Sequence, residues 1–487
     1  MMNYLDLTIT EIHRTIIEGK VTPLELVKEA IKRAKEDNNN AFEYISEKEA
    51  IEAVKHLDQS KKNNLLWGIP FVLKDNFSTK DIPTTGSSNI LNGYIPQFSS
   101  ETYLRLINEG AILIGKTTLD ELAMGGTGTS GHLGTTFNPW DPSHTHLVGG
   151  SSCGSAAAIS AGIVPLAIGS DTGDSVRKPA SYAGLVGFKP TWGRISRFGL
   201  FPFAASLDHV GFFTRSVEDS AIALHALAGR DDKDATSSIK KVDDYYHNLN
   251  SDIKGLRIAV IDEIFNSVAH PEILMTFEKT IEELKKMGAI INHVSLDIHL
   301  CKAIYPTYIV ISCAEATSNT SSLDGIKYGP RFEGSSYIEV MTKARTAGFS
   351  ELIKRRLVIG GYALRRENQE ELFLRAQKSR RLIVDAINKI LTDNDLIYLP
   401  ASPTVAPLIK GEVDDVLSNE KLIADNHLCI ANFAGLPSLT LPIGMQNGLP
   451  FGGNFTGRAF EEQTVLNASL ALENVLGYKN LSAKEKK

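Results

Sequence analysis

Two serines, Ser151 and Ser175, lie 24 residues apart in the stretch GGSSCGSAAAISAGIVPLAIGSDTGDSVRKP (149–179). A Gly/Ser loop carries the first. A run of small helix formers and a short apolar strand follow, and a second turn carries the other serine ahead of Arg177 and Pro179. One compact helix–strand unit of this kind can bring two hydroxyls together without any histidine. A third group is Lys74, which ends the apolar run WGIPFVLKDN (67–76). A buried strand there would deliver an ammonium into a closed pocket. Desolvation disfavours the charged form of lysine, so such a group can become a neutral general base. The chemistry open to this set is attack by a serine hydroxyl, a poor nucleophile until an adjacent acceptor takes its proton. Singly, serines in Gly-rich turns are turn formers and a lysine after a strand is a solvated end; jointly, within one long motif, they carry the functional reading.

The elements that must position these groups follow from the patterning. Residues 5–60 read as helices, with Thr8 and Thr22 as N-caps; Pro23 at N1 and Glu25 at N3 complete a capping-box arrangement at the second. From Leu66 to about residue 230, short apolar strands, Gly-rich turns and small-residue helices alternate, which predicts an α/β core with strands buried on both faces. Residues 230–244 read as a surface connection. Leu256–Ile261, a helix over 271–288 and Ala289–Val294 form a predicted βαβ continuation of the same sheet. Residues 300–393 are mostly helical, Leu396–Leu399 returns to strand, a last helix covers 461–476, and the SAKEKK end reads as frayed. The predicted organisation is a helical N-terminal segment (1–60) packed on the core, one large domain (61–480) and a frayed tail (481–487). Its fold class is α/β, a large mixed sheet covered by helices on both faces.

Composition bounds the partners. The chain has 487 residues, 43% hydrophobic and 22% charged, as expected of a soluble globular protein. A net charge of −6 leaves no electrostatic footprint for nucleic acid. Cys153, Cys301, Cys313 and Cys429 show no metal-binding or disulfide spacing, and Cys153 reads as a small buried residue. No metal site is expected. The N-terminus lacks a basic stretch followed by an apolar core, and no run of 18 apolar residues occurs, so the expected location is cytoplasmic with no membrane contact.

Two short motifs compete with the serine–lysine set. Gly126-x-Gly128-x-x-Gly131 matches a dinucleotide fingerprint, yet a Pro-containing stretch follows it instead of a helix. Gly150-x-Ser152-x-Gly154 matches a nucleophile elbow, but DPSHTH before it is too polar for the buried strand that motif requires, which makes Ser152 a minor candidate. His132, His144 and His146 read as surface or turn residues. Asp171 and Asp208 read as turn anchors.

The stretch 149–179 resembles the amidase signature family, whose hydrolases use a Ser–Ser–Lys triad. The resemblance runs from about residue 5 to residue 477. Through SDTGDSVRKPASYAGLVGFKPTWGRISRFGL (170–200) and SLDHVGFFTRSVED (206–219) it is similar to the members that hydrolyse glutamine within tRNA-dependent amidotransferases. The resemblance implies Ser175 as nucleophile, Ser151 as proton relay and Lys74 as the base. The backbone N–H groups of Thr172, Gly173 and Asp174 would form the oxyanion hole. Glutamine would be held by Arg356 at its α-carboxylate (Arg355 the alternative), Asp425 at its α-amine and Tyr308 through its phenol. It further implies B and C partner subunits, ATP and Mg at the partner with no cofactor in this chain, and Glu-tRNA(Gln) or Asp-tRNA(Asn) reached through the complex, its backbone held mainly by another subunit. The chain departs from the family pattern twice: Gly173-Asp174-Ser175 replaces Gly-Gly-Ser, and GGSSCG replaces GGSSGG. If residue 174 needs a positive φ, Asp is among the less costly choices. Two alternatives stay open: a stand-alone amidase on small amides, and a scaffold whose oxyanion hole Asp174 has spoiled.

Overall fold

Thr8 starts the first long helix, Ile9–Ile17, by accepting the Glu11 N–H, while the Glu11 carboxylate accepts the Thr8 N–H at 2.9 Å. Thr22 and Glu25 repeat this reciprocal box ahead of Pro23–Lys35, with Pro23 in the first turn as expected. In the computed structural model, which describes residues 3–411 and 417–486, these helices lead into a mixed sheet of eleven strands.

In chain order the strands are Phe42–Ile45 (β1), Pro70–Lys74 (β2), Ile112–Thr117 (β3), Leu166–Asp171 (β4), Val186–Lys189 (β5), His209–Thr214 (β6), Arg257–Ile261 (β7), Ile290–Val294 (β8), Leu396–Pro400 (β9), Ser438–Gln446 (β10) and Leu449–Gly457 (β11). They are arranged β1-β3-β2-β4-β6-β5-β10-β11-β9-β7-β8. The second strand is parallel to both of its neighbours, with Leu73 paired to Lys116 on one side and to Ile168 on the other. Its C-terminal end therefore shares one edge of the sheet with that of β4. In open α/β sheets this edge is where ligands bind. All residues of β2, β3 and β4 are buried, as continuous apolar runs in a covered parallel sheet must be.

Beyond the central strands, β7, helix Pro271–Lys286 and β8 form the expected βαβ unit at the far edge, with β7 parallel to both β8 and β9. Helices Ile298–Asn319, Tyr337–Gly348, Glu351–Ala363 and Arg375–Asp393 account for the predicted helical stretch. Residues 230–244 carry no helix or strand, but Asp231 and Asp234 turn inward to accept from Ser196 Oγ and the Arg197 N–H.

Two expectations require correction. Residues 5–60 are not wholly helical, because FEYI over 42–45 forms β1 and pairs antiparallel with β3. Four residues are too few for a hydrophobic period to declare itself, and pairing with a neighbouring edge decides the conformation. Of the stretch expected to fray, Ser482 and Lys484 are tied to the body of the protein by side-chain hydrogen bonds, just beyond Asn480. Asn480 Oδ1 accepts from Arg215 Nε at 2.8 Å, and buried Ser482 donates to the Ser160 carbonyl at 3.3 Å.

The turn after Lys74 is held by a fully buried ion pair. Lys116 Nζ lies 3.1 Å from Asp75 Oδ1 and donates to the Phe77 carbonyl and Thr84 Oγ1, while Asp75 Oδ2 accepts from the Thr85 N–H and hydroxyl at 2.7 Å. Burying two charges costs energy that their attraction and added hydrogen bonds must offset, so the turn is held in one geometry.

The cap at Thr8 gives a direct check on the N-terminal helix. We expect Thr8→Ala to destabilise the protein by about 1 kcal/mol, measured by equilibrium urea unfolding, since the Glu11 N–H loses its only side-chain acceptor.

Candidate active site

Lys74, the last residue of β2, is fully buried. Its Nζ lies 2.8 Å from Ser151 Oγ, 2.9 Å from Ser152 Oγ, 2.9 Å from Ser170 Oγ and 3.3 Å from the Ser170 carbonyl. Burial pushes the amine down to about 7, and the surrounding Cys153, Asp120, Asp171 and Asp208 counter this only in part. Near neutrality a large share of the group is therefore the free amine, with two donors and one lone pair. The Ser170 carbonyl takes a donor and cannot give a proton back, so the lone pair faces the hydroxyls. Ser151 Oγ, the shortest contact, accepts from the ammonium and is able to donate to the free amine.

Ser152 and Ser170 were not part of the expected triad. The Ser152 hydroxyl donates to the Ser170 carbonyl at 3.1 Å and accepts the Ser170 N–H at 3.3 Å, so it is engaged in the framework around the amine. Ser170 Oγ also accepts from Asn76 Nδ2 at 3.0 Å. No spacing rule links these residues to Lys74; Ser170 meets it because β2 and β4 are adjacent, and Ser152 enters from the start of helix Cys153–Ser160.

Ser175 sits in the turn between β4 and helix Arg177–Ala183. The Ser152 N–H donates to the Ser175 carbonyl at 3.3 Å, which joins the two serine loops through backbone. Among the described residues Lys74 is hydrogen-bonded to Ser151, and no hydrogen bond links the Ser151 and Ser175 hydroxyls. The N–H groups of Thr172, Gly173 and Asp174 likewise have no acceptor among the described residues.

What orients the Asp174 N–H is Arg177, a fully buried guanidinium. Nε and Nη2 clasp Asp171 at 3.1 and 2.9 Å, and Nη2 also donates to the Gly173 carbonyl at 2.7 Å and Asn432 Oδ1 at 2.6 Å. In a trans peptide the carbonyl and the following N–H point opposite ways, so holding Gly173 O at Arg177 turns the Asp174 N–H to the other side. Despite burial, Arg177 holds the Asp171 carboxyl well below the usual range. Asp171 thus anchors its turn as expected, by accepting the Val176 N–H, but its main partner is an arginine. Asp208 is the second anchor. It accepts from Thr172 Oγ1 at 2.7 Å and from the Phe203 and Ala204 N–H groups, and burial raises it to about 6.

The expectation of a left-handed residue 174 does not apply: neither Gly173 nor Asp174 is among the residues with positive φ. Glycine is needed at 173 for space, since a Cβ there would stand 3.0 Å from the Tyr308 ring and 3.2 Å from Cys429 Sγ. Asp174 turns its carboxylate to Lys178, with Oδ2 2.8 Å from Nζ.

The three predicted binding residues gather around this turn. Tyr308 packs against Gly173, and burial raises its phenol well above the usual value. Arg356 lies 5.9 Å above the Phe203 ring, its charge acts on the Tyr308 phenol, and its buried Nη1 has no hydrogen-bond partner. An unpaired buried donor is costly, which fits a guanidinium awaiting an anionic ligand. Arg355 is exposed on the same helix, so the geometry favours Arg356. Asp425 carries internal partners that its sequence did not reveal: Oδ1 is 3.2 Å from Lys178 Nζ, and Oδ2 is 3.7 Å from the more exposed Lys421. Phe203 and Cys429 had no signal of their own, being brought in from remote segments, and Lys178 stands within the motif itself but finds Asp425 only through the fold.

The competing motifs resolve physically. The 126–131 loop wraps a carboxylate of its own chain, as Asp120 accepts from the N–H groups of Thr127, Gly128, Thr129 and Ser130 at 2.9–3.1 Å. Cys153 is buried, with burial pushing its thiol up to about 12, and it faces Gly128, where a Cβ would lie only 2.8 Å from its own. His132 pairs with Glu43, His146 with Asp141, and His144 stacks on Phe137 in a turn. Among the described residues no group of three or more His, Cys, Asp or Glu converges on a metal-sized space, and no helix is long and apolar enough to cross a membrane.

Comparison with known proteins bears on the chain as a whole. The amidase family model matches residues 25–466. The A subunit of glutamyl-tRNA(Gln) amidotransferase from Pediococcus pentosaceus is 39% identical over 478 residues, 97% of each chain. The crystal structure of the A subunit of glutamyl-tRNA(Gln) amidotransferase from Thermotoga maritima superposes with a TM-score of 0.80 at 35% identity, covering 97% of this chain and 96% of that one. The peptide amidase of Stenotrophomonas maltophilia superposes with a TM-score of 0.79 at 26% identity, covering 97% and 98%.

The Arg177 clasp makes its own prediction. Arg177→Met leaves the buried Asp171 charge without its ion partner and frees the Gly173 carbonyl. We expect a loss of about 3–5 kcal/mol in urea unfolding, whereas an exposed arginine such as Arg355 should tolerate the same change within about 0.5 kcal/mol.

Proposed function

The chain belongs to the amidase signature family, and on that premise we propose that it is the glutamine-hydrolysing A subunit of a glutamyl-tRNA(Gln) amidotransferase. The observation that carries the reading is the buried Lys74 amine, 2.8 Å from Ser151 Oγ at the C-terminal edge of parallel strands. The unpaired Arg356 Nη1 supports a substrate with a carboxylate, such as glutamine, over a plain amide.

In this reading neutral Lys74 takes the Ser151 proton as Ser151 takes that of Ser175, and Ser175 Oγ attacks the glutamine carboxamide carbon. The carbonyl oxygen gains negative charge, which the N–H groups of Thr172, Gly173 and Asp174, without an acceptor among the described residues, stabilise. The relay then returns its proton to the leaving nitrogen, and ammonia departs, leaving a γ-glutamyl ester on Ser175. Water, deprotonated through the same relay, cleaves the ester to glutamate and restores the serine. Arg356 and Tyr308 hold the α-carboxylate end, and Asp425 the α-ammonium. The ammonia passes to a partner B subunit, where ATP and Mg activate Glu-tRNA(Gln), with a C subunit completing the assembly. A chain of net charge −6 suits this division, since tRNA phosphates then bind elsewhere.

Two measurements test the proposal. Ser175→Ala should lose glutamine hydrolysis by about three orders of magnitude or more, yet, assembled with its partners, still support amidation when ammonium chloride replaces glutamine. Hydrolysis near the wild-type rate would overturn the nucleophile assignment, and no amidation with ammonia would place activation chemistry in this chain. The pH profile follows from Lys74. The base works only when neutral, so kcat/KM should be level above about 7 and fall by about tenfold per pH unit below it. A limb near 10 would mean that a solvated lysine is the base.

A further inference from the structure

Lys178 is nine-tenths buried and lies one helical turn beyond the nucleophile loop, within reach of two carboxylates. Its Nζ is 2.8 Å from Asp174 Oδ2 and 3.2 Å from Asp425 Oδ1, and it also donates to the Asp425 carbonyl. Burial works against its charge, but Asp174 and Asp425 outweigh this and hold the ammonium protonated well above the usual range. Asp174 is also the residue at which the chain leaves its family's Gly-Gly-Ser pattern, one position before Ser175. A carboxylate there would oppose a developing oxyanion if it faced the N–H groups of its own turn. A lysine beside Asp425 would cancel the one negative charge that an α-ammonium needs.

We propose that Asp174 and Lys178 act as one unit: Lys178 holds the Asp174 carboxylate off the oxyanion hole, and Asp174 restores the negative charge that Lys178 removes from Asp425. The count is direct. Asp425 alone carries one negative charge, Asp425 with Lys178 carries none, and Asp425 with Lys178 and Asp174 carries one again. Lys421, at 3.7 Å and more than a third exposed, is screened by solvent and weighs less. Each carboxylate gives one oxygen to Lys178, so Asp425 Oδ2 faces only the partly exposed Lys421 at 3.7 Å, an ammonium that a ligand's own can displace. Asp174 and Lys178 are thus positioning and specificity residues, and the departure from glycine keeps both the hole and the ammonium subsite working. The inference rests on the glutaminase reading above.

Steady-state kinetics on the full chain assembled with its partner subunits decides it, using Asp174→Gly, Lys178→Gln and the double variant. The substrates are glutamine and glutaramate, the same amide without the α-amine. Asp174→Gly should raise KM for glutamine about tenfold more than it raises KM for glutaramate, whatever change in kcat the two amides share, because only the ammonium subsite loses charge. Lys178→Gln should lower kcat about tenfold or more on both amides, because the freed carboxylate faces the oxyanion. The double variant should return to within about threefold of wild type in both parameters, a sign reversal that a merely structural role cannot produce. Should Lys178→Gln fail to fold, Asp174→Asn reads the same KM shift with the packing retained. Losses that multiply in the double variant, singles indistinguishable from wild type, or an equal KM shift on both amides each overturn the pairing. Turnover of neither amide by wild type sinks the glutaminase reading and the pairing with it; glutamine turnover with additive variants sinks the pairing alone.

Discussion

An amine taken out of water at the end of a parallel strand sets the terms for everything around it. Lys74 has no exposure, so its charge is disfavoured, and every polar neighbour must suit a group that is neutral part of the time. Serine hydroxyls meet that demand because each can donate or accept as the proton moves. A carboxylate in direct contact would instead fix the charge and end the amine's use as a base. The three hydroxyls and one carbonyl around Nζ are therefore the solvation shell that the chemistry permits, and Asp120, Asp171 and Asp208 act on it only from a distance.

Those carboxylates are kept at a distance by partners of their own. Asp171 is clasped by Arg177, Asp208 is held by the Thr172 hydroxyl and two backbone N–H groups, and Asp120 is enclosed by the 127–130 loop. Each pairing also shapes a loop: Arg177 turns the Gly173 peptide, Asp208 ties Thr172 to the Phe203 turn under Arg356, and Asp120 folds the segment beside Gly150. Charge satisfaction and loop geometry are thus the same interactions, which is how a site with so few regular elements stays ordered. The same logic extends to Asp174, whose carboxylate finds an ammonium on the next helical turn instead of facing the N–H groups of its own loop.

The linear reading reached most of the fold because its periods are strong. The apolar run within 67–76 and the short one within 149–179 read as buried strands and are so, and the caps at Thr8 and Thr22 announced their helices through residue types that suit that place. It failed where a short segment takes its conformation from a neighbour. FEYI became an edge strand because β3 offered it hydrogen bonds, and Ser482 is buried where the Ser160 carbonyl accepts its hydroxyl. The literal Gly126-x-Gly128-x-x-Gly131 match shows the converse: glycines that could cradle a phosphate enclose Asp120 from a position six residues upstream.

For the site, the sequence by itself determined the reactive types: two serines 24 residues apart, a lysine closing an apolar strand, and a departure at Asp174 that demanded an explanation. Residue type and local run carry that information, since desolvation of Lys74 follows from the strand that holds it. Only the tertiary structure decided which groups share the space. Ser170 and Asn76 join Lys74 through strand adjacency, Arg356 rather than Arg355 faces Phe203 and Tyr308, and Lys178 reaches across to Asp425, 247 residues away. Such contacts depend on the side-by-side placement of remote segments, and electrostatic balance is a property of that assembled space. No spacing along the chain encodes it.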